Sequence, residues 1–195
     1  MPMTQVEKFK GVFIHPKAIV EAENIGEGTR IWAFAHLLKG ASVGRNCNIC
    51  DHTFVEGNVI VGDNVTIKSG VYLWDGVTIE DNVFIGPNAT FTNDIRPRSK
   101  MYPPEFMRTY IRKGASIGAN ATIICGIDVG QWAIIGAGSV VTKDVPDHAI
   151  VYGAPARIKG YVCECTENLL FENSRAKCKC GKVYELKEEN VTKVK

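Results

Sequence analysis

Four cysteines near the C-terminus have the residue type and the spacing of metal ligands. They form two Cys-x-Cys pairs, Cys163 with Cys165 and Cys178 with Cys180, separated by twelve residues. Two thiolate pairs suit the tetrahedral geometry of a structural zinc site, although a two-residue spacing within each pair is more common. The start of the chain lacks the apolar core of a secretion signal, which disfavours disulfides. The pattern predicts a zinc-binding tail, and a redox-labile or disordered tail is the alternative.

A polar segment at residues 92–100 is the second candidate for chemistry. It contains Asn93 and Asp94, followed by Arg96 and Arg98. Guanidinium groups bind phosphate through two parallel hydrogen bonds, so the two arginines are candidate substrate-binding residues. Nearby prolines indicate an ordered external loop rather than a strand. A solvated surface loop is the alternative.

Histidines and a further carboxylate are candidates for a general base. His52 stands at a position where Gly or Asn recurs elsewhere in the chain, which makes it the first choice, and Asp75 is the second. His36 directly precedes a residue that is predicted to face the core, so it should point outward, toward a neighbouring subunit. For each of them, a surface or interface role is the alternative.

These residues lie on a repeat with a period of six. Stepping by six from Phe13 to Phe91 gives fourteen apolar positions out of fourteen, and the pattern resumes from Ile111 to Val141. The residue two positions earlier is usually small or β-branched, and in an extended segment both residues face the same way. Gly or Asn dominates three positions before the large apolar residue, which suits a corner with positive φ.

Short extended runs joined by regular corners describe a coil with flat faces. Three hexads close a triangular turn, so twenty hexads give six to seven coils whose strands stack in parallel. The composition agrees, because 20 Val and 19 Ile stand against 6 Leu and β-branched residues favour strands. The sequence therefore predicts an all-β solenoid. Amphipathic strands without solenoid closure would not explain why the corner residues recur in register.

Charge and hydropathy exclude two classes of protein. The 23 basic and 21 acidic residues leave a net charge of +2, which argues against a nucleic-acid protein held by bulk electrostatics. No stretch approaches the ~18 consecutive apolar residues of a membrane helix. We expect a cytoplasmic protein with a solenoid at residues 12–160 and a Cys-rich tail at residues 161–195.

Several stretches resemble a known family. The hexads, the external loop and the motifs VTKDVP (residues 141–146) and GAPAR (residues 153–157) resemble the left-handed parallel β-helix acyltransferases that use acyl-CoA. The left-handed sense of the coil comes from this resemblance alone. Within that family, three stretches resemble bacterial nucleotide-linked 3-amino-sugar N-acetyltransferases, which act on dTDP- or UDP-bound sugars for surface polysaccharide. These stretches are residues 47–56, 62–76 and 86–100.

The resemblance implies a homotrimer with each active site in the groove between neighbouring solenoids. Acetyl-CoA would lie along the C-terminal coils, with Lys143 and Arg157 near its phosphates. The backbone groups expected to pair with its pantetheine arm lie near Gly118, Ala119, Gly136 and Ala137.

The resemblance also implies the chemistry. An amine attacks a thioester carbonyl, which requires orientation of the amine, a proton acceptor and stabilisation of the oxyanion. Asn93 matches an asparagine at the reacting end and would hold the amine, while Asp94 would accept a hydrogen bond from the amine or a ring hydroxyl. A sugar amine that titrates near about 8 is partly neutral at pH 7, so the departing CoA thiolate can take the final proton. Many relatives have a histidine where this chain has Ala33, which removes one possible base.

Two other functions remain open at this point. A γ-type carbonic anhydrase shares the solenoid but binds zinc through three histidines. Only His36 and His52 lie suitably for that, since His15 falls in the first coil and His148 beyond the last. A non-catalytic scaffold whose Cys-rich tail recruits a partner is the third function.

Overall fold

The protein is built from short β-strands, as a computed structural model that describes residues 9–195 shows. The strands of the first part of the chain are β1 (Phe13–Ile14), β2 (Ile19–Val20), β3 (Asn24–Ile25), β4 (Arg30–Ile31), β5 (His36–Leu37), β6 (Ser42–Val43), β7 (Asn48–Ile49), β8 (Phe54–Val55), β9 (Ile60–Val61), β10 (Thr66–Ile67), β11 (Tyr72–Leu73), β12 (Val77–Ile79), β13 (Phe84–Ile85) and β14 (Thr90–Phe91). Those of the second part are β15 (Thr109–Ile111), β16 (Ser116–Ile117), β17 (Thr122–Ile123), β18 (Asp128–Val129), β19 (Ile134–Ile135), β20 (Val140–Val141), β21 (Ala149–Gly153), β22 (Ala156–Val162), β23 (Asn168–Leu169), β24 (Arg175–Lys177), β25 (Val183–Lys187) and β26 (Asn190–Lys193). Residues 9–195 form no helix that is long and apolar enough to cross a membrane.

Successive strands are distributed in rotation over three sheets, which form the three faces of a solenoid. The ten-stranded face has the order β1-β4-β7-β10-β13-β16-β19-β21-β22-β23, the seven-stranded face β2-β5-β8-β11-β14-β17-β20, and the six-stranded face β18-β15-β12-β9-β6-β3. Neighbouring strands from β1 to β21 are parallel, as in the pairing of Tyr72 with Phe54 one coil earlier. The predicted all-β solenoid of hexapeptide repeats is confirmed.

The three edges of the solenoid are where the chain turns from one face to the next. We call the turn from the ten-stranded to the seven-stranded face the first edge, the turn from the seven-stranded to the six-stranded face the second edge, and the turn back to the ten-stranded face the third edge. Residues that differ by eighteen in number occupy the same edge of adjacent coils wherever the coil is regular. Adjacent coils are separated by the strand spacing of about 4.8 Å.

The interior is filled by the apolar residues of the hexads. From Ile31 to Val141 every large inward residue of the predicted series is buried, and the smaller partner two positions earlier is buried with it, as for Cys47 and Ala121. Each fully buried Ile or Val contributes roughly 1.5–3 kcal/mol relative to an exposed one. The whole column forms one continuous core.

The first coil departs from the predicted register. Phe13 and Ile19 were expected inside but are 44% and 53% exposed, whereas Ile14 and Val20 are 8% and 6% exposed. The pairing of Ile14 with Ile31 shows that this coil has seventeen residues instead of eighteen. A shift of one residue moves every side chain of a strand to the opposite face, so the prediction was wrong for these two positions.

The corners have the positive φ predicted for them. Glycines and asparagines fill most of them, but Phe34, His52 and Trp132 also have φ between 58° and 59°. Bulky side chains rarely adopt this conformation, since it costs of order 1–3 kcal/mol.

Two segments have structure that the repeat does not determine, one that interrupts the hexad pattern and one that follows it. Residues 92–108 form the predicted external loop between β14 and β15. Beyond β20, the Val129–Val145 bridge and β21 extend the stack into the start of an eighth coil. The chain then reverses: β22 pairs antiparallel with β21, and it runs across the expected boundary between residues 160 and 161.

The tail has a small core of its own. The antiparallel sheet β24-β25-β26 packs its buried residues around Tyr184, which is 0% exposed. Tyr161 on β22 packs against both this core and that of the solenoid.

Candidate active site

The outer side of the seven-stranded face has an aromatic patch, which we define as Phe34, His36, His52, Phe54, Tyr72 and Trp74. These side chains, with Thr53, line an open cavity of about 400 Å³. Phe34 and Tyr72 are 51% and 49% exposed, although both carry large apolar rings. A contiguous exposed patch of this kind marks a surface that binds a ligand or another protein.

His52 projects into this cavity from the first edge. Its φ is 58°, and its ring stacks on that of Phe34, with 4.9 Å between the centroids and an interplanar angle of 18°. The two residues occupy the same corner of successive coils and share the same unusual backbone conformation. The imidazole is therefore held in one orientation and stays exposed, as a proton acceptor or a substrate-binding group requires.

His36 lies beside it on the face itself. It points outward as predicted, with its ring edge-on to Phe54 at a centroid distance of 5.6 Å. Its Nε2 lies 3.5 Å from Oε1 of Glu21 but forms no hydrogen bond within residues 9–195. This buried nitrogen has hydrogen-bonding capacity that the described part of the chain does not use.

Asp75 and Asn93 lie together on the second edge, one coil apart. The Asp75 Oδ1 accepts a hydrogen bond of 2.8 Å from the Asn58 backbone N–H, and its own N–H donates to Glu56 Oε2 at 2.6 Å. The carboxylate therefore already helps to hold adjacent coils together. Asn93 accepts a backbone hydrogen bond of 3.3 Å from Met107 N–H, which closes the base of the external loop and leaves its side-chain amide unpaired within the described chain.

The other candidate residues of the external loop are Asp94, Arg96 and Arg98, and the two arginines are exposed. Asp94 Oδ1 accepts a hydrogen bond of 2.8 Å from the Arg96 backbone N–H, so the carboxylate stabilises a local turn. The Arg96 and Arg98 side chains are exposed, and Arg98 reaches only the neighbouring Pro97 carbonyl, at 3.2 Å. The two guanidinium groups are accessible to a charged ligand.

The predicted catalytic residues form two groups that do not meet within one chain. His52 is on the first edge, and Asn93 and Asp94 are on the second edge, two coils further along. The width of the seven-stranded face lies between the groups. A single chain thus keeps these predicted residues apart, and we refer to the two groups as half-sites of the predicted active site.

The predicted cofactor backbone lies on the first edge, in the C-terminal coils. Gly118 and Gly136 each donate a 2.8 Å hydrogen bond to the next coil, to the Ile135 and Val151 carbonyls. The N–H groups of Ala119 and Ala137, by contrast, donate no hydrogen bond to any residue from 9 to 195. A Cβ at position 118 would lie 2.5 Å from the Ala137 nitrogen, so glycine leaves that N–H uncovered.

On the third edge, the N–H groups at the position that corresponds to Ala119 and Ala137 are mostly hydrogen-bonded to side chains. There carboxylates of adjacent coils cap four of the six corresponding N–H groups, as Arg45 N–H donates to Asp63 Oδ1 at 2.7 Å and Gln131 N–H donates to Asp147 Oδ1 at 2.7 Å. No such side chain serves Ala119 or Ala137 among residues 9–195. These two donors, one coil apart, are positioned to bind an extended ligand that carries amide carbonyls.

Lys143 and Arg157 share a groove at the C-terminal end of the coil. The groove has a volume of about 390 Å³, and Glu189 of the tail also lines it. Both cations are exposed, and the Arg157 guanidinium reaches only its neighbour's carbonyl, at 2.8 Å. Asp144 lines the groove as well, but neither cation forms an ion pair within residues 9–195, so both are available to a phosphate group.

The four tail cysteines converge. Their Sγ atoms all lie within 4.8 Å of one another, and they form no disulfide. Burial raises the pKa of the Cys163 thiol, but hydrogen bonds from the Cys165 backbone and the Tyr184 hydroxyl outweigh it and bring this pKa to about 7. Cys47, Cys50 and Cys125 are buried elsewhere, in the solenoid.

The aromatic part of the cavity was missed by sequence reasoning. Phe54 and Tyr72 follow His36 at intervals of eighteen, in outward positions of one face. An aromatic series with the period of a full coil was the signal that would have revealed it.

Comparisons with known proteins agree with the fold. The family described as "Bacterial transferase hexapeptide (six repeats)" matches residues 24–57, 58–93 and 108–143. The solved structure of a UDP-N-acetylglucosamine acyltransferase from Bacteroides fragilis has a TM-score of 0.59 at 21% identity, covering 77% of this chain and 61% of the other. That likeness shows the hexapeptide-repeat solenoid alone.

One relative is far more similar. The dTDP-3-amino-3,6-dideoxy-alpha-D-galactopyranose 3-N-acetyltransferase of Aneurinibacillus thermoaerophilus is 59% identical over 173 residues, which cover 89% of this chain and 90% of the relative. The protein therefore belongs to the bacterial transferase hexapeptide family.

The histidine arrangement of a γ-type carbonic anhydrase finds no counterpart in the described residues. His148 is buried at the junction with the tail, where its Nδ1 is 2.9 Å from the Val162 carbonyl. His15 Nδ1 accepts a 3.2 Å hydrogen bond from the Lys17 backbone. Within residues 9–195 the cysteine cluster is the one group of three or more potential ligands that converge.

Proposed function

We propose that the protein is an acetyl-CoA-dependent N-acetyltransferase that acts on the 3-amino group of a dTDP-linked amino sugar. The observation that carries this proposal is the 59% identity to the Aneurinibacillus enzyme across nine tenths of both chains. The matched region includes most of the solenoid and its functional elements. A UDP-linked 3-amino sugar is the competing substrate that the resemblance leaves open, and surface polysaccharide is the expected destination of the product.

The geometry supports each part of this reaction. The uncovered N–H groups of Ala119 and Ala137 pair with the pantetheine arm, and Lys143 and Arg157 bind phosphate groups of the cofactor. Asn93 orients the amine, and Asp94 accepts a hydrogen bond from the amine or a ring hydroxyl. Arg96 and Arg98 bind the diphosphate of the sugar nucleotide.

The acetyl transfer does not require a strong general base from the protein, because the sugar amine is partly neutral at pH 7. The neutral amine attacks the thioester carbonyl, and the tetrahedral intermediate collapses to an amide and the CoA thiolate. That thiolate takes up the proton which the new amide nitrogen releases. His52 is the protein group best placed to accept it instead, because its ring is fixed by Phe34 and exposed. Asp75 and His36 complete the proposed contacts with the substrate.

We further propose that the active protein is a homotrimer whose sites lie between copies. The two half-sites on opposite edges of the seven-stranded face support this, as does the aromatic patch between them. Tyr102 near the tip of the external loop is 80% exposed, as expected of a side chain that packs against a neighbour. We place the enzyme in the cytoplasm, where thiols such as those of the tail stay reduced.

The substrate is tested by measuring thiol release from acetyl-CoA with a panel of dTDP- and UDP-linked amino sugars. We expect turnover with dTDP-3-amino-3,6-dideoxyhexoses, slower turnover with the UDP analogues, and none with 3-hydroxy sugars. Absence of turnover on every amine would refute the proposal. Zinc-dependent CO₂ hydration would support the carbonic anhydrase alternative.

The shared site is tested by complementation. His52→Ala and Asn93→Ala variants, each of low activity alone, are co-expressed with different affinity tags, and the mixed oligomers are isolated. If each site takes one residue from each of two neighbouring copies, one third of the sites in each isolated mixed trimer are intact. We expect about that fraction of the wild-type activity. Activity no higher than the single variants would contradict the arrangement.

A further inference from the structure

The two cysteine pairs of the tail lie in turns with the same hydrogen-bond pattern. In the first turn, Cys163 N–H donates to the Glu167 carbonyl and Thr166 N–H donates to the Cys163 carbonyl, both at 2.9 Å. In the second, Cys178 N–H donates to the Lys182 carbonyl and Gly181 N–H to the Cys178 carbonyl, again both at 2.9 Å. Two separate segments of chain thus fold into congruent loops, each of which presents two thiols.

The positive φ of both turns occurs at the residue after the second cysteine. Thr166 has a φ of 74° and Gly181 a φ of 93°. Threonine is β-branched and rarely adopts this conformation, so the first turn is strained. A constraint that holds the loop in place explains why the strain persists.

The sulfur atoms form the corners of a site of suitable size for a metal ion. Cys163 Sγ is 3.6 Å from Cys180 Sγ, and Cys165 Sγ is 3.4 Å from Cys178 Sγ. A tetrahedral zinc site with bonds of about 2.3 Å has sulfur–sulfur edges of about 3.8 Å, whereas a disulfide requires about 2.05 Å. Each sulfur atom of one turn lies close to a sulfur atom of the other turn. A metal ion between the two turns would therefore have ligands from both.

The surroundings suit a negatively charged metal–thiolate group. The Tyr184 hydroxyl lies 3.1 Å from Cys163 Sγ, in position to donate to a thiolate. Glu164, between the first two cysteines, pairs with both Lys182 and Lys193, at 2.6 and 2.8 Å. This trio carries a net positive charge beside the cluster, and it partly balances the charge of −2 that four thiolates and one Zn²⁺ would have.

The size of the tail provides an independent reason for such a crosslink. Its core contains only a few buried side chains around Tyr184, and two of them are Cys163 and Cys178. A module this small buries too little apolar surface to be stable alone and usually depends on disulfides or a structural metal. The tail forms no disulfide.

We propose that Cys163, Cys165, Cys178 and Cys180 bind one structural Zn²⁺ ion that fixes the tail on the C-terminal end of the solenoid. The site is independent of the acetyl-transfer residues. Its ion joins the turn that follows β22 to the turn that precedes β25, and so it determines where the β25–β26 hairpin lies. Glu189, at the tip of that hairpin, lines the groove of Lys143 and Arg157.

The experiment measures metal in the full-length protein. Protein produced with zinc in the medium, purified without a metal-chelating tag and dialysed, is analysed by mass spectrometry for all first-row metals. We expect one zinc per chain. Cys165→Ser removes an exposed ligand without opening a cavity in the core, and it should lower the zinc content at least tenfold. Cys47→Ala is the matched control, because Ala occupies the same hexad position at Ala41 and Ala89, and it should keep one zinc.

Two further measurements keep the test independent of folding defects. Replacement of zinc by Co²⁺ should give the visible absorption bands of tetrahedral thiolate coordination, and Cys165→Ser should lose them. Removal of the metal with a chelator should make the tail sensitive to trypsin at Lys177 and Lys182 while the solenoid stays intact.

Several results would overturn the proposal. They are a zinc-free wild-type protein, iron in place of zinc, two disulfides found by alkylation and mass spectrometry, and a Cys165→Ser variant with an undiminished zinc content.

Discussion

Replacing Ala137 by proline tests the cofactor edge, because it deletes one backbone N–H and little else. The structure assigns no hydrogen bond to that N–H within residues 9–195. Proline also fixes φ near −65° and restricts the residue before it. The fold accepts both effects at this corner, since Pro16 and Pro87 occupy the same position in other coils, and Gly86 precedes Pro87 as Gly136 precedes Ala137.

The expected magnitude follows from one lost hydrogen bond. A typical hydrogen bond contributes about 0.5–1.5 kcal/mol net, which corresponds to a rise of about two- to twelve-fold in the Kd for CoA. The stability of the fold should not fall. Proline restricts the unfolded chain, so the free energy of unfolding should stay the same or rise by about 0.4–1 kcal/mol.

The assay combines calorimetric titration with CoA, the KM for acetyl-CoA from thiol release, and chemical denaturation. Ser69→Pro is the matched control. Ser69 occupies the same corner three coils away, about 14 Å along the axis, and its N–H also donates no hydrogen bond within the described chain. We expect this control to leave CoA binding unchanged and to leave stability the same or slightly higher, as in Ala137→Pro.

An unchanged Kd in a stably folded Ala137→Pro protein would refute the pairing of this N–H with the cofactor. A large loss of stability in Ala137→Pro but not in Ser69→Pro would show that the fold itself uses the N–H, contrary to the structure.

Three other predictions concern packing, catalysis and pH. Gly118→Ala places a Cβ 2.5 Å from the Ala137 nitrogen and 2.7 Å from the Ile135 carbonyl oxygen. This variant should lower the free energy of unfolding by about 1–3 kcal/mol in denaturation experiments. Gly160→Ala is the control, because a Cβ there has nothing within 4 Å, and it should not destabilise the protein. Asn93→Ala should lower kcat at least tenfold while the Kd for CoA stays within twofold, and an unchanged kcat would remove Asn93 from the site. Burial lowers the pKa of His148 below its ordinary value, so on acidification this histidine takes up a proton in the unfolded chain before it does so in the folded protein. The stability that neutral His148 allows should therefore be fully present above about pH 6.5 and decline as the pH falls below that value. Denaturation midpoints between pH 5 and 8 check this, and His148→Gln should reduce the dependence.

The sequence was sufficient for the repeating part of the fold but not for its first coil. From Ile31 onward one phase of the hexad pattern is apolar in all seventeen hexads, and the residue before it is polar in ten of them, so the series as a whole identifies the inward residue. In the first coil, Phe13 and Ile14 are both apolar, as are Ile19 and Val20. The loss of one residue from the first coil therefore does not change the apolar pattern of the sequence, and only the strand pairing shows which residues face inward.

The candidate residues came from the sequence, but their arrangement did not. His52 was predicted from its place at a corner and Asn93 from the family resemblance, and the coil period of eighteen already places them on different edges. The missing step was to assign every candidate to an edge. The unpaired N–H of Ala137 could not be predicted from the sequence. Whether such an N–H is paired depends on whether a side chain from the next coil reaches it, as Asp63 reaches the N–H of Arg45. Hexad spacing alone does not contain that information.

The three edges of the solenoid satisfy their backbone groups in different ways, and this difference supports the proposed location of the chemistry. On the third edge, carboxylates cap four of the six corresponding N–H groups, as Asp81 does for Asp63 at 2.8 Å, and so that edge offers fewer donors to a ligand. On the first edge, the corresponding N–H groups stay open within residues 9–195, those of Ala119 and Ala137 among them. The second edge opens into the external loop at Asn93. Both open edges border the seven-stranded face, whose outer surface has the aromatic patch in its N-terminal coils and Thr90, Thr122 and Val140 further along. A neighbouring copy that covers this face would bring a first edge against a second edge, and it would exclude water from the groove between them. The proposed chemistry requires that the open donors and the loop asparagine act on one substrate, so the unequal use of hydrogen bonds on the three edges supports the proposed site between copies.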